Sequence, residues 1–63
     1  MSRTKLEVLA VVLQHEGMSG QDMMDNGFLA KEDASTLVNL FGDGKIRWDD
    51  QQHGWFVVDH MIP

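Results

Sequence analysis

Three short stretches bring together side chains whose types could do chemistry. His15-Glu16 sets an imidazole beside a carboxylate, the minimum for proton transfer. The pair stands where a helical pattern runs out, a place where the helix dipole favours a histidine, so it reads as a capping or solvated pair. Gly42-Asp43-Gly44-Lys45 offers glycines and a lysine but has neither the spacing nor the Ser/Thr of a phosphate-binding loop. Those glycines read as a helix stop and the lead into a strand. Asp49, Asp50 and His53 offer oxygen and imidazole ligands, yet their spacing matches no calcium loop and the charges read as a solvated turn. No serine lies in a nucleophile motif, and with no cysteine there is neither a disulfide nor a thiolate metal site. No catalytic, metal-binding or cofactor-binding residue is assigned, and the chain is expected to be non-enzymatic with no cofactor.

The elements that would carry these groups are legible from caps and spacing. Thr4 and Glu7 form a T-x-x-E capping box. Leu6, Leu9, Ala10 and Leu13 follow at helical spacing and predict a core-facing stripe on a first helix, about Thr4 to Glu16, stopped by Gly17. Ser19 and Asp22 repeat the capping signature more weakly ahead of a short helix, Gln21–Asp25, which Asn26-Gly27 closes. Met18 is placed to staple onto Met23; if Met23 and Met24 flank opposite sides of so short a helix, one stays exposed. Ala30, Ala34, Leu37, Val38 and Phe41 predict a third helix with an apolar face, with Glu32 and Asp33 in its first turn. Ile46–Trp48 and Trp55–Val58 then read as two strands around a polar turn, Asp49–Gly54. Trp55, Phe56 and Val57 are the expected anchors of this hairpin, with one of Trp48 and Trp55 in the core. Trp55 and Val57 share one face of the strand and Phe56 and Val58 the other, so both faces are apolar, which suggests burial against a partner or a second copy. Methionines, Met61 among them, are expected mainly as core filling.

Sixty-three residues make a single domain (1–63) with a thin stability margin. Arg3 and Lys5 before the apolar run Leu6–Leu13 look superficially like a leader, but the run is short and His15 and Glu16 follow at once. No run approaches the roughly 20 apolar residues that cross a bilayer, so no membrane partner is expected and the compartment is expected to be the cytoplasm. Ten acids against five bases give a net charge of −5. Affinity for nucleic acid comes largely from cations that displace counterions from phosphates, so this balance favours a protein partner, or a protein that competes for a site where nucleic acid would sit.

The order helix, short helix, helix, hairpin resembles the winged helix-turn-helix family. The resemblance is carried by the stretch from Gly27 to Arg47, above all by Leu37-Val38-Asn39-Leu40-Phe41 running into Asp43-Gly44-Lys45-Ile46. It covers nearly the whole chain as a pattern of element order and hydrophobicity. It implies a mainly α fold of three helices plus a two-stranded antiparallel wing, with the third helix and the wing as the contact surface. On this sequence those positions are Lys31, Glu32, Ser35, Thr36 and Asn39, with a wing tip from Asp49 to Gly54. The wing tip carries two acids where the family commonly has basic residues.

Two functions from different classes follow. The first is a protein-interaction module that regulates or inhibits a transcription or nucleic-acid-processing machine. It would act through an acidic third-helix face with its neighbouring polar residues (Glu32, Asp33, Ser35, Thr36, Asn39, Asp43) and an apolar wing (Trp48, Trp55, Phe56, Val58). Small acidic cysteine-free chains of this kind are also made by phages to disable host factors. The second is a dimeric sequence-specific DNA-binding regulator using Lys31, Ser35, Thr36, Asn39, Lys45 and Arg47, with Arg3 and Lys5 adding phosphate contacts.

Overall fold

The computed structural model describes residues 3–58; Met61 lies outside the described residues. Helix α1 spans Lys5–Gln14 behind the capping box the sequence predicts: Thr4 Oγ1 accepts from the Glu7 amide at 3.2 Å, and Glu7 Oε1 accepts from the Thr4 amide at 2.8 Å. His15 ends the helix, and Gly17 turns the chain with φ +90°. Helix α2, Gly20–Asp25, starts under Ser19 Oγ, which accepts from the Asp22 amide at 3.1 Å. A 3₁₀ turn at Lys31–Asp33 leads into α3, Ala34–Gly42. Strands β1, Ile46–Asp49, and β2, Gly54–Val57, then pair antiparallel in the register Ile46 to Val57, Arg47 to Phe56 and Trp48 to Trp55.

Two strands are marginal alone in water, and here β2 is held on both edges. Away from β1, the Gly17 amide donates to the Trp55 carbonyl at 3.0 Å and the Trp55 amide to the Met18 carbonyl at 3.0 Å. One pair further on, the Val57 amide donates to Glu16 Oε2 at 2.9 Å. The segment that leaves α1 therefore clips the hairpin to the helices.

The core is Val8, Val12, Met23, Leu29, Leu37, Leu40 and Ile46, with Met18, Met24, Trp55 and Val57 packed against it. Met24 is thus half-buried and not an exposed contact.

Two expected faces are corrected. Of the stripe assigned to the core of α1, only Leu9 packs against it, half-buried; Leu6 is 77% and Leu13 58% exposed, and Ala10 is exposed, whereas Val8 and Val12 are fully buried. Periodicity selects an inner face only when another face is polar, and α1 is apolar nearly all round. Its roll is set by its ends, where Arg3 bonds Asp33 and Gly17 bonds Trp55. On α3, Leu37 and Leu40 go inward while Val38 and Phe41 are 67% and 52% exposed.

Candidate protein-interaction surface

Cross-strand pairing places Trp48 and Trp55 opposite each other, hence on the same face of the hairpin. Their rings meet edge-on with centroids 5.1 Å apart. Trp55 takes the inner position, half-buried against the core, and Phe41 from the last turn of α3 meets it edge-on at 5.4 Å. The result is an aromatic row, Phe41–Trp55–Trp48, half-buried in the middle and open at both ends. Val38, one turn before Phe41, extends it along α3. Trp48 and Trp55 were visible as interface candidates in the sequence. Val38 and Phe41 were absorbed into the predicted core, although both are exposed; Val38 lies between Ser35 and Phe41 on the outer side of the helix.

The charges are arranged differently from the expectation. Helix α3 contains no charged residue, so its outer face, made by Ser35, Val38 and Asn39, is neutral; Thr36 is half-buried. Asp33 is fully buried and cannot face a partner. Its Oδ2 accepts from the Ala30 amide at 2.8 Å and from Arg3 Nη1 at 2.8 Å, while Oδ1 has no partner among the described residues. Burial pushes this carboxyl up, but the Ala30 hydrogen bond and the Arg3 guanidinium outweigh it and hold the group below its ordinary 3.8. Asp43 pairs with Lys5 Nζ at 3.2 Å across the α1 side of the molecule. The acidic face thus reduces to the exposed Glu32, just ahead of α3.

Of the cations proposed for DNA, Lys45 and Arg47 flank the buried Ile46 at the start of β1 and share its outer side, whereas Lys31 stands apart from them. Lys31 precedes α3 and Lys45 follows it, separated by a helix about 13 Å long. Arg47 points to the outer face of the hairpin, where its guanidinium lies 5.1 Å from the Phe56 ring centroid. Arg3 and Lys5 are held by Asp33 and Asp43. Phe56, expected in the partner surface, therefore belongs with Arg47 on the side away from Trp48.

The remaining chemical candidates have structural partners. His15 stacks on Phe28 with centroids 3.9 Å apart and planes 8° from parallel. Asp49 Oδ1 accepts from the Gln51 and Gln52 amides at 2.9 and 3.4 Å and shapes the hairpin turn. Among the described residues no three His, Asp or Glu side chains converge as metal ligands, and no helix is long and apolar enough to cross a membrane. Set against protein-family models, curated proteins and solved structures, the chain matches none of them.

Proposed function

We propose that this chain is a non-enzymatic protein-interaction module of winged helix-turn-helix type that regulates or inhibits a transcription or nucleic-acid-processing machine. The observation that carries this reading is the open aromatic row Phe41–Trp55–Trp48 beside the uncharged outer face of α3. Large aromatics around a half-buried centre are the usual anchors of protein interfaces. Val38, Ser35 and Asn39 supply neighbouring apolar and hydrogen-bonding contacts. Glu32 and Asp50 are exposed, and the chain carries a net charge of −5, so the fitting partner is a protein surface with an apolar pocket and a basic rim. Basic rims of that kind are found where proteins hold nucleic acid, which makes competition with nucleic acid the mechanism of regulation.

The test is affinity capture from native host extract with three baits: the wild type, Phe41→Ala/Trp48→Ala, and Leu13→Glu at an exposed position of α1 outside the aromatic row. A protein retained by the first and third but lost by the second supports the reading. Equal retention by all three contradicts it.

A further inference from the structure

Helix α2 ends in a cap built on Asn26-Gly27. The Phe28 amide donates to the Met23 carbonyl at 2.8 Å and the Gly27 amide to the Met24 carbonyl at 3.0 Å, with Gly27 in the left-handed region at φ +80°. The cap therefore favours glycine directly after Asn26, and both residues are exposed. A Cβ on Gly27 would meet nothing within 4 Å, so solvent reaches the peptide bond that joins them. Asparagine is among the chemically labile residues, and most so before glycine, where no side chain shields the next amide nitrogen from its carboxamide.

We propose that Asn26 is a site of spontaneous deamidation that the α2 cap holds in check. The Gly27 nitrogen attacks Asn26 Cγ and closes a five-membered imide. The bond from Cγ to Nδ2 breaks, and ammonia leaves with its third hydrogen taken from the Gly27 amide. Solvent water then opens either imide carbonyl, giving aspartate or an isoaspartyl linkage that carries the main chain through Cβ. The folded geometry opposes the first step. Asn26 ψ is 1°, which sets the Gly27 nitrogen beside the Asn26 nitrogen and away from its side chain. The Gly27 N–H is engaged by Met24, and Asn26 Nδ2 donates to the Asp22 carbonyl at 2.8 Å. Reaction thus requires α2 to open, and a helix of six residues opens as a unit. Either product adds a negative charge at the end of α2 beside the exposed Asp25, against the helix dipole. The isoaspartyl form also lengthens the chain inside the cap. Both loosen Phe28, which packs against the core and stacks on His15.

Peptide mapping by mass spectrometry of the full chain, aged at mildly alkaline pH, reads the conversion at each asparagine. Asn26 should exchange an amide for an acid and yield both aspartyl and isoaspartyl forms, while Asn39, inside α3 and followed by Leu40, stays intact. Conversion should be slower by about tenfold or more in the folded chain than in guanidinium chloride, as expected of a site reached through local opening. Ser19→Ala removes the hydroxyl that caps the start of α2 and should speed the folded-state reaction about fivefold, the population change that loss of such a cap brings. Its rate in guanidinium chloride should equal that of the wild type, because Ser19 lies outside the reacting pair. The aged chain should melt about 2–6 °C below the fresh one, and Asn26→Gln should age without that loss. Asn26 intact after ageing, equal rates in the folded and unfolded chain, a folded-state rate unmoved by Ser19→Ala, or a converted chain that melts like the fresh one would each overturn the proposal.

Discussion

Gly17 and Gly54 pack backbone against backbone: a Cβ on Gly54 would lie 2.7 Å from Gly17 Cα and closer still to its carbonyl. This contact lets the exit of α1 run along β2 and make the Gly17–Trp55–Met18 hydrogen bonds. It ties the aromatic row to the helices, because Trp55 both donates to and accepts from that segment.

Gly54→Ala should therefore cost about 2–4 kcal/mol, at or above the usual range for overpacking. A chain of this length has only about 3–9 kcal/mol in total, so most of the cooperative melt should be lost. Gly27→Ala is the contrast. Gly27 also has positive φ, +80°, but a Cβ there meets open space, and the cost should be about 1–2 kcal/mol from backbone conformation alone. Circular dichroism melts of the two variants check the difference.

Asp33 gives the fold an acid-sensitive tie. Its folded pKa is depressed, so its stabilisation is complete above the ordinary value of 3.8 and disappears as pH falls through the lower folded value. Asp33→Asn should lower stability at neutral pH by about 1–3 kcal/mol, the cost of leaving buried partners poorly satisfied. It should also flatten the fall in melting temperature at acid pH. An acid limb as steep as that of the wild type would place the sensitive group elsewhere.

The two tryptophans should separate stability from binding. Trp55→Ala removes a ring packed on the core, and losses of that kind run to about 3–5 kcal/mol. Trp48→Ala removes a ring at the open end and should cost about 1 kcal/mol, the scale of an aromatic pair, while weakening partner capture at least tenfold. Chemical denaturation and capture assays on both variants read the two effects independently.

Charge reversal on the third-helix side is informative only at Glu32, since Asp33 is internal. Glu32→Lys should leave the melting temperature within a few degrees, as surface substitutions usually do. It should weaken a basic partner and raise retention on immobilised duplex DNA. Unchanged partner affinity would remove the head of α3 from the contact.

What the sequence makes legible is the local chemistry. Thr4 and Glu7 announce the first helix, Gly17 and Gly27 their turns, and the alternation around Trp48 and Trp55 the hairpin. The inner face of α1 was not legible, because Leu6–Leu13 and Val8–Val12 are equally good apolar stripes and only contacts distant in sequence choose between them. Asp33 looked like a solvated first-turn acid, and its burial depends on Arg3, thirty residues away. Of the interaction surface, Trp48, Trp55 and Asn39 were visible, whereas Phe41 was hidden by its helical spacing with Leu37. Glu16 as the cap on β2 left no local signal at all.

The central claim is that this surface is made for protein and not for a polyanion. Anisotropy of a fluorescent random-sequence duplex, titrated at low salt with the wild-type chain, tests it most directly, since non-specific binders respond at micromolar protein. The account predicts a flat titration. Binding that weakens steeply with added salt would mean that Lys31, Lys45 and Arg47 act together on phosphate, and would contradict it.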